Sequence, residues 1–202
     1  MNKFIIGAVI VALAAVAYVF FCPAANANEN FDVWQHDFAV TGENLSVSLR
    51  TYTDADYDHV QLTYKLPADF VVGYRYAEEN GIKEHRGIAA YQGLAYGPLY
   101  VTPIVTYSSF DGIEGIDHFR LGVRAGLEHD YKGFKAFAWH EPRAVFGADV
   151  DEFDFIGSKS EAGLLFPVGK AQFGPFVQVW LDDDYKYHEG ALIAGTKFVA
   201  TF

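Results

Sequence analysis

His118-Phe119-Arg120-Leu121-Gly122-Val123-Arg124-Ala125-Gly126-Leu127-Glu128 alternates without a break: Phe119, Leu121, Val123, Ala125 and Leu127 fall on one side, and His118, Arg120, Gly122, Arg124, Gly126 and Glu128 on the other. A period of two is the pattern of an extended strand with one apolar and one polar face. The pattern recurs along the chain. Leu45, Val47 and Leu49 oppose Ser46, Ser48 and Arg50; Val60, Leu62 and Tyr64 oppose His59, Gln61, Thr63 and Lys65; Phe70, Val72 and Tyr74 oppose Val71, Gly73 and Arg75. At the end, Leu192, Ala194, Thr196, Phe198, Ala200 and Phe202 alternate with Ile193, Gly195, Lys197, Val199 and Thr201. Aromatics at 17% and 19 glycines favour strands and tight turns, so an all-β fold is expected. Periodicity alone leaves open which face turns inward, because a soluble sandwich or lipocalin-like barrel shares it.

The first residues read as a secretory signal. Met1-Asn2-Lys3 is a short positive start, Phe4 to Phe21 is almost wholly apolar, and Ala25-Asn26-Ala27 is a small-x-small cleavage site. Residues 1–27 are therefore expected to be removed. The rival reading is an uncleaved anchor, since the apolar run approaches the ~20 residues of a spanning helix. About 175 residues then remain with neither cysteine nor methionine, because Cys22 and Met1 belong to the signal. No disulfide framework is available to such a chain. No second long apolar stretch occurs, so any spanning of a membrane by the mature chain must be done by strands.

The connections carry the next step. Short links at Pro67-Ala68-Asp69, Ala95-Tyr96-Gly97-Pro98, Asp130-Tyr131-Lys132-Gly133 and Pro167-Val168-Gly169-Lys170 alternate with longer ones over residues 54–58, 78–86, 108–117, 141–158 and 182–190. In an up-and-down barrel every second connection lies at the same end, so this order gathers the long links on one rim. Most of the 26 Asp and Glu fall in them. A net charge of −11 accounts for the acid, but not for the long-short order.

An alternating last strand ending on a bare Phe202, with Phe198 four positions before it, behind a signal peptide, resembles the sorting signal of small bacterial outer-membrane β-barrels. The resemblance covers residues 45–202. It implies an up-and-down antiparallel transmembrane barrel in the outer membrane of a Gram-negative cell envelope, with short turns inside and longer loops outside. Its implied partners are outer-membrane lipid, lipopolysaccharide and the barrel assembly machinery, which would take the C-terminal strand ending at Phe202; no nucleic acid is expected. Eleven segments can be named if residues 31–41 count as one, whereas termini on the same side require an even number. Residues 28–44 are accordingly read as a first strand continuing through Gly42, or as a plug. About 10 strands are expected, with 8 or 12 as alternatives.

With the apolar faces turned to lipid, Arg50, Lys65, Arg75, Arg120, Arg124 and Lys197 face the lumen, with Glu128 and Glu161 as counter-charges. Guanidinium pairs bidentately with carboxylate or phosphate, so such a lumen draws anions. Narrow porins for acidic oligosaccharides are similar in having a basic lumen. Three functions follow as expectations: a narrow channel for small anionic solutes, a structural or surface-interaction barrel plugged by its own ion pairs, and a soluble barrel for an apolar ligand.

His36-Asp37, His118 and His140-Glu141 stand in no nucleophile or metal-binding spacing, so neither catalytic nor metal residues are assigned, and no enzyme activity or cofactor is expected. Asp182-Asp183-Asp184 with Asp149, Asp151, Glu152 and Asp154 reads as a solvated acidic rim. Trp34, Trp139 and Trp180, with Tyr64, Tyr74, Tyr76, Tyr100 and Tyr107, are candidates for interfacial girdles.

Overall fold

The computed structural model describes residues 34–53, 57–79, 81–113, 116–147, 150–181 and 187–202. The expected signal peptide and residues 28–33 lie outside them, as do Asp149 and Asp182 to Asp184. The alternating segments form β1 (Trp34–Thr41), β2 (Leu45–Thr53), β3 (Tyr57–Lys65), β4 (Phe70–Glu79), β5 (Ile82–Tyr91), β6 (Leu94–Tyr96), β7 (Leu99–Asp111), β8 (His118–Tyr131), β9 (Phe134–Gly147), β10 (Val150–Val168), β11 (Ala171–Leu181) and β12 (Tyr187–Thr201).

Neighbours in the chain pair antiparallel except β5 and β6, which both pair with β7. The three residues of β6 pair with the start of β7, Leu94 opposite Val101, one register step out of line with Ala90 opposite Ile104. β6 thus prolongs β5 beyond an irregularity at Gln92 and Gly93. The sheet closes through β1 and β12, which run parallel from Trp34 opposite Ala194 to Thr41 opposite Thr201. The result is a closed barrel of eleven strands with β6 as an extra short one.

Eleven corrects the expected ten, and the reason lies in residues 34–41. They neither merge with β2 nor plug the barrel, but pair along their whole length with β2 on one side and β12 on the other. Gly42 turns the chain, its N–H donating to Leu45 O at 2.8 Å. Alternating strand directions make the first and last strands of an odd set run the same way, so the closing seam must be parallel. Trp34 and Phe202 consequently stand at opposite rims. Phe38 and Phe198 meet across the seam at 6.5 Å, and the Phe202 N–H donates to Thr41 O at 3.2 Å.

The links expected to be short and those expected to be long fall at opposite rims, but the contrast in length does not hold: residues 54–56, 80–81 and 148–149 are as short as residues 42–44, 132–133 and 169–170, which leaves 112–117 and 182–186 as the longer links of that rim. β4 and β5 continue to Glu79 and from Ile82, and β9 and β10 to Gly147 and from Val150, with β-bulges between Val150 and Gly157. Glu84, Arg86, Glu141 and Arg143 in these extensions point inward, which is why their composition resembles that of a loop.

The alternation sorts the faces as the pleat requires. Val40, Val47, Leu62 and Tyr74 are successive ladder partners on β1 to β4 and are 42–47% exposed. Val105 and Leu121 continue the exposed apolar surface on β7 and β8. Inside the barrel, by contrast, Gln35, Gln178 and Ser108 are fully buried. An apolar cluster in the interior consists of Phe137, Leu165 and Phe176 with Trp139 against them.

Candidate functional site: the charged barrel interior

Every second residue of a strand reaches the interior, so charges spaced by two in sequence stack along one wall. On β8 this face carries Arg120, Gly122 and Arg124. Gly122 leaves the space that Glu141 of β9 fills, because a Cβ there would lie 3.3 Å from the Glu141 Cγ. Glu141 accepts from Arg124 Nε at 2.8 Å and from Arg143 Nε at 2.7 Å. One carboxylate thus serves two guanidinium groups.

The arrangement repeats on β4 and β5. Arg75 Nη2 donates to Glu84 Oε2 at 2.7 Å, and Arg86 Nε donates to Glu84 Oε1 at 2.8 Å. Arg86 also donates to Ser108 Oγ on β7 at 2.8 Å. A third cluster straddles the seam. Arg50 holds Asp37 with both prongs of its fork, at 2.6 and 2.9 Å, while Lys197 stands 3.8 Å from Asp37 and pairs closely with Glu161. Bidentate, charge-assisted contacts of this kind are the stronger class of hydrogen bond.

Two cations stay outside these clusters. Lys159 of β10 is buried and has no carboxylate within ion-pair distance among the described residues; its ammonium lies 4.8 Å from the Trp180 ring and 5.8 Å from the Trp139 ring. Arg143 and Arg124 stack on the same two indoles, at 5.1 and 4.2 Å. Arg120 likewise has no carboxylate within ion-pair distance among the described residues. It lies in the fields of Arg86, Arg143 and Arg75, opposed by Glu84.

Of the six expected lumen residues, Arg50, Arg75, Arg120, Arg124 and Lys197 are brought together inside. Lys65 is not: it ends β3 at the rim of the β3–β4 turn, half exposed, paired with Asp69 at 2.8 Å. Glu161 is buried on Lys197 as a counter-charge, whereas Glu128 is exposed and meets Lys135 at 3.3 Å. Arg86, Arg143 and Lys159 were missed, the first two because residues 78–86 and 141–158 read as loops. Their signal was parity, since Arg86 is two residues from Glu84 and Arg143 two from Glu141.

The girdle candidates divide. Tyr64, Tyr74 and Tyr107 face outward, but Trp139 and Trp180 turn inward onto the cations, and Tyr100 turns inward over Gly126. Indole faces attract cations through the ring quadrupole, which suits an interior with surplus positive charge. The side chain of Trp34 lies outside the description.

The histidine-carboxylate neighbours point to opposite faces, as strand neighbours must. His36 meets Thr196 Oγ1 at 2.9 Å while Asp37 is bound to Arg50; His140 meets Ser160 Oγ at 2.9 Å while Glu141 is bound to its two arginines. Among the described residues no three His, Asp or Glu side chains converge as a metal site.

No family model matches the chain, and no curated protein matches it. The class defined by fold and interior is a small closed β-barrel, apolar outside and cationic within.

Proposed function

We propose that this chain is an outer-membrane β-barrel whose lumen passes small anionic solutes. The observation that carries the reading is the charge balance of the interior: among the described residues, Arg50, Arg75, Arg86, Arg120, Arg124, Arg143, Lys159 and Lys197 face four carboxylates, Asp37, Glu84, Glu141 and Glu161. A surplus of one sign behind low-dielectric walls raises the local concentration of the opposite ion. The exposed apolar rows on β1 to β4, β7 and β8 support contact with lipid, and they are the reverse of what a soluble barrel for an apolar ligand needs. Phe202, at the rim of the β3–β4, β8–β9 and β10–β11 turns, would then face the periplasm, with the opposite rim and the start of β1 outside.

Reconstitution of the refolded protein in planar bilayers tests the channel. Anion-selective conductance is expected, and Arg120→Ala and Arg124→Ala should each reduce the selectivity by a factor of several. Absence of current would leave the second reading, a barrel plugged by its own side chains, which the Phe137, Leu165 and Phe176 cluster inside the wall favours.

The lipid-facing assignment has its own test. Leu121 lies in the outward row of β8, so Leu121→Arg should destabilise the barrel in lipid vesicles by roughly 2 kcal/mol in denaturant titration, as charged residues on a lipid face do. An unchanged midpoint would remove Leu121 from the lipid-facing surface.

A further inference from the structure

Arg120 is the charge that the ion-pair clusters leave over, and its surroundings are specific. Its ladder partner on β7 is Thr106, and both residues bury a polar atom without a protein partner, Arg120 Nε and Thr106 Oγ1. Arg75 Nε, two strands further round on β4, is in the same state. Each of the three atoms can donate a hydrogen bond, and an amidine-type Nε can do nothing else. Buried donors without acceptors cost free energy, so a patch of them marks the place of an absent acceptor.

The charges agree with the donors. Arg75 and Arg86 share Glu84, while Arg120, without a carboxylate in ion-pair distance among the described residues, lies in the fields of both and of Arg143 from β9. The shortage of negative charge is about that of a dianion. A halide offers a single charge and no direction, whereas an oxyanion presents several acceptor oxygens to forked donors.

We infer that Arg120, Thr106 and Arg75 form a binding site inside the barrel for a compact, doubly charged oxyanion of the phosphate or sulfate type. The site rests on the channel reading only in that solutes must reach the lumen. It makes part of the interior a selective station for divalent oxyanions.

Calorimetric titration of the refolded full barrel in detergent, with sodium phosphate and sodium sulfate against sodium chloride at equal ionic strength, tests the site. Saturable binding of one equivalent is expected for phosphate or sulfate, and none for chloride. Arg120→Gln should weaken it at least tenfold and Thr106→Ala severalfold, while Lys83→Gln, an exposed residue of β5, leaves it unchanged. Heat-modifiable migration confirms that each variant is folded. Should Arg120→Gln fail to fold, Thr106→Ala decides, and an unchanged affinity there overturns the site. Equal response to chloride, or no saturable binding at all, also overturns it. Anion-selective current without oxyanion binding would defeat this site and leave the channel standing; oxyanion binding without current would do the reverse.

Discussion

Glu141→Gln should lower the unfolding free energy of the refolded barrel by about 3–5 kcal/mol, the cost of leaving a buried charge cluster without its counter-ion. Glu141 is buried and holds Arg124 and Arg143 at 2.6–2.8 Å. Its neighbours cannot compensate, because Lys159 and Arg120 are themselves cations without a carboxylate in ion-pair distance among the described residues. Neutralising Glu141 sets two guanidiniums beside them in a wall already in positive surplus. The effect of removing a cation is smaller: Arg124→Gln leaves Glu141 paired with Arg143, and a loss of about 1 kcal/mol is expected for one hydrogen-bonded partner at a half-exposed position. Denaturant titration in detergent, followed by heat-modifiable migration, measures both. The combination of Glu141→Gln with Arg143→Met should recover part of the loss, since apolar replacement of a buried pair is often neutral. A double variant as unstable as Glu141→Gln alone would show that Glu141 acts by something other than its charge.

Gly174→Val should cost about 3 kcal/mol or block folding, at the upper end of what overpacking does. Gly174 lies on the inward face of β11 against β10, where any Cβ would strike the Leu164 carbonyl oxygen and stand 2.8 Å from its carbonyl carbon. Backbone cannot give way as a side chain can. Pro175 follows and brings no N–H to the ladder, so the strands meet here through close packing as well as hydrogen bonds. The contrasting variant is Gly169→Ala, in the β10–β11 turn at φ 64° with open space around its Cβ position. There the loss should be only the conformational one, roughly 1–2 kcal/mol for an L residue in the left-handed region. Equal costs at the two positions would argue against the close approach of β10 and β11.

Much of the barrel was legible because its periodicity is local. Arg120 and Arg124 could be assigned to one face from β8 alone, and Arg50, Arg75 and Lys197 from their own strands. Lys65 shares that parity, yet it sits at a strand end, and no residue count along β3 tells where the rim falls. On β9 the pattern is mixed: Phe137, Trp139, Glu141 and Arg143 share the inward face, so neither apolar nor polar character identifies it. That mixture hid Arg143 and made Trp139 resemble an interfacial aromatic. Ion-pair partners were less legible still, since Glu161 and Lys197 come from strands 36 residues apart.

Sequence by itself determined that the chain alternates in period two and that turn residues break the alternation at short intervals, and these two facts imply antiparallel strands with opposed faces. Both are properties of single strands and adjacent hairpins. Closure was decided only by the tertiary structure: β1 pairs with β12 in parallel, the strand number is eleven, and the ends of the barrel chain stand at opposite rims. So was the sharing of Asp37, Glu84 and Glu141 by two cations each. These depend on which strands meet after the sheet has curled, a non-local pairing that no stretch of sequence states.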